Sequence, residues 1–179
     1  MTPEDSAPRR TGRPFQSFAL SDPRTTPGLL VHVDYAGSRR GVPVSKNFRH
    51  WVETALFAAR YRRPVELSIR IVDAREGRSL NHQYRDRDYA TNVLSFPVEL
   101  PRGFSSPLLG DLAICAPVVI REAREQHKLV RDHYAHLTIH GVLHLLGYDH
   151  QTERDATRME SLETQILASL GVADPYAAE

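Results

Sequence analysis

Cysteine is nearly absent from this 179-residue chain: Cys115 stands alone, so no disulfide can form within it, and a reducing compartment suits it. No apolar run reaches the ~18 residues that a membrane-spanning helix needs. A charge surplus is missing too, with 23 basic against 22 acidic residues. That balance gives no support to bulk nucleic-acid binding, so any basic surface has to be local. Arg9-Arg10 has no hydrophobic segment behind it and does not read as an export signal. No internal repeat is found. These absences lead to the expectation of a soluble, cytoplasmic single domain, long enough to bury a hydrophobic core.

Histidine is where the chain is rich. Five of the nine histidines fall between His133 and Gln151. His140 and His144 are four residues apart, so on a helix they stand one above the other on one face. Gly147 follows where a helix ends in a left-handed residue, and the reversed chain can bring His150 back to the same point. Three imidazoles on one divalent ion leave a fourth position open, the layout of a catalytic zinc site; nickel, copper or iron would also suit them. The bland alternative is a pair of core histidines, each satisfied by one hydrogen bond. The spacing His140-x3-His144-x2-Gly147-x2-His150 is that of the metzincin motif, but Gly141 stands where those proteases carry their Glu base. Ordinary metalloprotease chemistry is therefore disfavoured.

In chain order, residues 1–28 carry five Pro and four Arg with few large apolar residues, which predicts a disordered extension. Leu29–Tyr35 reads as a first strand. Phe48, Trp51, Val52, Ala55, Leu56 and Ala59 recur at helical spacing, with Ser45 or Asn47 available to cap that helix. Val65, Leu67, Ile69 and Ile71 alternate with polar residues, a strand with one buried face. Asp73 can cap a short helix to about Tyr84, before a charged loop from Arg85 to Thr91. Asn92–Pro97 and Leu108–Cys115 read as two more strands, the second one central. Pro117 opens a helix running to about Lys128, and Asp132 can cap the histidine helix, which is apolar nearly all round and so buried. Met159, Leu162, Ile166 and Leu170 stripe a last helix that stops at Gly171. The expected fold is a single α+β domain (α/β-like): a small four-stranded mixed sheet packed by about five helices, with the metal site on a buried helix.

Three long segments, in order, carry a family resemblance. Leu80-Asn81-x3-Arg85-x2-Asp88-x2-Thr91-Asn92-Val93-Leu94-Ser95-Phe96-Pro97, Leu109-Gly110-Asp111-Leu112-x-Ile114-Cys115 and His140-Gly141-Val142-Leu143-His144-Leu145-Leu146-Gly147-Tyr148-Asp149-His150 resemble the bacterial rRNA maturation factor YbeY family, metal-dependent single-strand endoribonucleases. The resemblance spans residues 29–175, leaving 1–28 as an extension without a counterpart and 176–179 as a C-terminal tail. It implies one zinc ion per chain on His140, His144 and His150, and Arg85 as the functional arginine. It also implies a role in 16S rRNA 3′-end processing and ribosome quality control. The implied partners are an rRNA precursor, the small ribosomal subunit and its assembly factors, with neither DNA nor membrane among them.

The chemistry is coherent without the label. A zinc ion on three histidines lowers the pKa of a coordinated water to about 7 and polarises a phosphoryl oxygen. Arg85 can fork onto two phosphate oxygens; read from its loop alone, it is a solvated arginine paired with Asp86 or Asp88. Ser95 is a candidate donor to substrate, or a structural strand serine. Asp149 either orients an imidazole or caps the following helix. His136 shares a face with His140, as a group behind the ligand, a proton donor, or simply a surface residue. Cys115 reads as a small buried apolar residue. Two rivals remain at this stage: a metalloprotease-like hydrolase, and a ribosome-assembly factor in which zinc is structural.

Overall fold

A computed structural model describes residue 26 and residues 28–177, so the proline-rich extension expected over 1–28 lies almost wholly outside the described residues. The chain runs β1 (Leu29–Tyr35), α1 (Ser45–Ala58), β2 (Val65–Val72), α2 (Ala74–Arg85), β3 (Val93–Pro97), β4 (Leu108–Cys115), α3 (Ala116–Glu125), α4 (Val130–Leu145) and α5 (Glu153–Ser169). The sheet order is β1-β2-β4-β3. β1, β2 and β4 are parallel, whereas β3 runs antiparallel on the β4 edge. The fold of the described residues is therefore α+β, with a four-stranded mixed sheet and five helices, as the residue pattern predicts.

The periodicities translate directly into packing. Val65, Leu67, Ile69 and Ile71 of β2 are all buried, while Arg70 on the other face pairs with Asp34 of β1 and Glu76 of α2. On α1 the buried set is Phe48, Trp51, Val52, Ala55 and Leu56. The Phe48 ring meets Trp51 and Tyr134 of α4 edge-on, with centroids 5.3 and 5.9 Å apart. Burying each such side chain stabilises by roughly 1.5–3 kcal/mol. α4 lies at the centre of the packing, against α1, α3, α5, β3 and β4. Ten of its residues are buried, from His133 to Leu145.

Helix boundaries depart from the sequence reading at several caps. Val44 precedes α1 with no side-chain cap, so neither Ser45 nor Asn47 serves as one. Asp132 lies in the first turn of α4 rather than at its cap, which is Leu129; there its charge still complements the helix N-terminus. Asp73 does cap α2, accepting from the Glu76 N–H. α3 stops at Glu125, short of Lys128, because His127 adopts a left-handed φ of 52° and the Lys128 N–H turns back to the Ala123 carbonyl. Cys115 ends β4 fully buried, with burial pushing its thiol pKa up, in keeping with an inert core residue.

Candidate metal centre

The end of α4 is a Schellman turn. The Tyr148 N–H reaches the Leu143 carbonyl at 3.0 Å and the Gly147 N–H reaches His144 at 2.9 Å. Gly147 takes the left-handed φ of 89° that this turn requires, as its spacing predicts. The chain reverses at once and returns His150 toward the helix. His140, His144 and His150 then form one cluster, with one ring nitrogen from each lying within 4.8 Å of the others. The ring centroids of His144 stand 4.6 Å from His140 and 5.0 Å from His150.

The donor set fits a zinc ion. Bonds of 2.0–2.1 Å in tetrahedral geometry set nitrogens about 3.3 Å apart; His140 Nε2 and His144 Nε2 are 3.1 Å apart. Burial, then the neighbouring His140 and His150, hold the His144 pKa below the usual imidazole range. The neutral form, the one that binds metal, is thereby favoured.

Behind His140 lies a residue that the sequence reading missed. Glu163 of α5 has no exposed surface, and its Oε1 is 2.6 Å from His140 Nδ1. Its Oε2 accepts from the Tyr176 hydroxyl and faces His136 Nε2 at 3.7 Å. Burial acts to raise the Glu163 carboxyl, but His136, His140 and Tyr176 together outweigh it and hold the pKa at about 2. The signal for Glu163 was available: it sits four residues after Met159 and three before Ile166, within the apolar stripe of α5. Tyr176 carried no such signal. Assigned above to a C-terminal tail, it instead lines the same cleft as the histidines.

That cleft has a volume of about 320 Å³, and Arg85, Thr91, Asn92, Val93 and Ser95 line it together with His136, His140, His144, His150 and Tyr176. Arg85 is the last residue of α2 rather than a loop residue, because Asp86 takes a left-handed φ of 54° and ends the helix. Asp88, one of its expected partners, is gripped at two points by Arg78, each 2.7 Å long. Arg85 makes no ion pair among the described residues. Asn92, just before β3, donates to Glu122 Oε2 at 3.1 Å, and Glu122 also takes His133 Nε2 at 2.8 Å. Ser95 is half-buried on β3 beside α4.

Asp149 does not cap α5. Its Oδ1 accepts the His150 backbone N–H at 2.7 Å, and Thr152 caps α5 by accepting from Asp155. Gly141 has a steric reason to be glycine. A Cβ there would stand 2.8 Å from Leu112 Cδ2, where α4 presses on β4.

The fold and site define a class: a small α+β protein with a three-histidine cluster at the end of a buried helix, opening into a cleft that Arg85 also lines. Within that class, the chain belongs to the endoribonuclease YbeY family, whose family model, described as Endoribonuclease YbeY, matches residues 37–171. Proteins named Endoribonuclease YbeY from Stenotrophomonas maltophilia (strain R551-3) and Xanthomonas euvesicatoria pv. vesicatoria (strain 85-10) are each 59% identical to it over 155 residues, 84% of this chain and 95% of theirs. One from Alkalilimnicola ehrlichii is 58% identical over 153 residues, 84% of this chain and 92% of its own. The solution structure of TM1509 from Thermotoga maritima shares the fold at a TM-score of 0.53 and 22% identity, covering 83% of this chain and 100% of that one.

Proposed function

We propose that this chain is a zinc-dependent, single-strand endoribonuclease that matures rRNA precursors at the 16S 3′ end and serves ribosome quality control. In this reading it works in the cytoplasm on the small ribosomal subunit. The observation that carries the proposal is the shared cleft, lined both by three clustered imidazoles and by Arg85, which is free of carboxylate partners among the described residues. The relatives' name, Endoribonuclease YbeY, supplies the substrate class.

His140, His144 and His150 would hold the ion, which when bound supplies a Lewis acid for the phosphodiester and for water. Arg85 receives two phosphate oxygens in a bidentate fork and offsets the charge that builds on the phosphoryl group. Ser95, on the strand beside α4, donates to the substrate.

Both rivals are weaker on specific grounds. The protease base is missing, since position 141 is glycine, and a side chain there would have to displace the buried Leu112. A structural zinc is disfavoured because α4 is already held by apolar packing from α1, α3, α5 and the sheet. The cluster also offers three protein nitrogens where structural sites use four protein ligands.

The test is cleavage of a single-stranded RNA carrying the 16S precursor 3′ end, by full-length protein reconstituted with zinc, beside a casein control. RNA cleavage that needs zinc and disappears in His144→Ala supports the reading. Casein hydrolysis without RNA cleavage overturns it.

A further inference from the structure

A carboxylate with no exposed surface, set between Met159 and Ile166 on the apolar stripe of α5, is costly to bury and persists only if its partners repay that cost. The two oxygens of Glu163 have separate partners. Oε1 takes His140 Nδ1 at 2.6 Å, and Oε2 takes the Tyr176 hydroxyl.

We propose that Glu163, clamped by Tyr176, is a positioning residue that fixes the tautomer and ring orientation of His140 for metal binding. An ionised carboxylate only accepts, so the proton of a neutral His140 sits on Nδ1 and the lone pair is left on Nε2. Nε2 is the atom 3.1 Å from His144 Nε2, on the side where the cluster converges. The Tyr176 hydroxyl occupies the other oxygen and keeps the carboxylate from swinging toward the cleft. Tyr176 is itself anchored to the helix that carries Glu163. Asp174 Oδ1 accepts from Thr164 Oγ1 at 3.1 Å and from the Tyr176 N–H at 3.0 Å. Lys128 Nζ adds a bond to the Pro175 carbonyl at 3.4 Å. One helix thus supplies the carboxylate and, through Thr164 and Asp174, anchors the tyrosine that locks it.

This inference rests on the metal-site reading above and adds two residues outside the three-histidine set. A competing geometry exists, because His136, His140 and Glu163 also bring three ligand atoms within 4.8 Å of one another. In that arrangement Glu163 would be a direct ligand of a second ion.

The experiment compares full-length wild type, Glu163→Gln and Tyr176→Phe. Zinc affinity and stoichiometry are read by competition with a chromophoric chelator. The visible spectrum of the cobalt-substituted protein reports ligand geometry, and metal-free melting reports the fold. We expect one ion per chain in all three proteins. Glu163→Gln should lose about 10–100-fold in zinc affinity with a shifted cobalt band, the range seen when a group behind a ligand is removed. Tyr176→Phe should lose less, with its band shifted in the same direction. Wild-type affinity and spectrum in both variants would overturn the positioning role, even if both melted lower. Two ions in wild type falling to one in Glu163→Gln would overturn it in favour of direct ligation. If Glu163→Gln does not fold, Tyr176→Phe decides alone by the same spectrum and affinity. No metal bound by wild type is a distinct result, which removes the zinc reading itself and this inference with it.

Discussion

Gly141 and Leu112 stand so close that a single added carbon on the glycine would lie 2.8 Å from the leucine Cδ2. The contact is where α4 seats on β4, one residue after His140. Metzincins carry their Glu at this position, and here a side chain would have to displace the buried Leu112.

Gly141→Glu should therefore fail to create a protease. Overpacking at a buried contact costs typically about 1–3 kcal/mol, and a buried unpaired carboxylate adds to that. Urea unfolding of the variant should show a lower midpoint, and casein should remain uncut. A stable variant that hydrolyses casein would reverse this account of the glycine.

His144→Ala should lose zinc, since two imidazoles hold the ion poorly. Elemental analysis of untagged protein should give about one zinc per chain in wild type and a small fraction of that in the variant. Full metal content in His144→Ala would remove it from the ligand set.

Arg85→Ala should keep both zinc and stability. The side chain is exposed at the end of α2 and makes no ion pair among the described residues. Its removal should change unfolding free energy by no more than about 0.5 kcal/mol. RNA cleavage should fall by an order of magnitude or more, and binding should become less salt-sensitive as one phosphate contact is lost. Unchanged cleavage kinetics would exclude a phosphate role.

Acid should loosen the joint between α3 and α4 through Glu122. Burial acts to raise this carboxyl, but the bonds from His133 and Asn92 outweigh it, and the folded pKa lies below the ordinary 4.5. A depressed carboxylate contributes stability above its unfolded pKa and loses it as pH falls through the folded value. Metal-free wild type should therefore lose urea stability as pH drops below about 4.5, and Glu122→Gln should be flatter across that window. Parallel pH curves for the two proteins would contradict the assignment.

Much of the site was legible because its signals are local. The His140-to-His150 spacing works through one helical turn and one left-handed glycine, and both are set within eleven residues. The alternation of β2 and the stripe of α1 are legible for the same reason: each buries one face of a single element. Glu163 left only a weak mark, its place on the apolar stripe of α5, because a glutamate on an amphipathic helix ordinarily faces water. Only the approach of α5 to α4 buries it. Arg85 reads as a loop residue because the residue that ends α2 is Asp86, which takes the left-handed conformation without being glycine. The missed caps at Val44 and Leu129 have no side-chain hydrogen bond and so leave no sequence signature.

The cleft draws its walls from positions as far apart as Arg85 and Tyr176. Closing such a span requires long-range contacts that form late, after helices and adjacent strands. During synthesis, a nascent chain would expose α4 and its histidines before Tyr176 had left the tunnel. The three-histidine cluster would then be complete before the tyrosine that holds Glu163 behind it.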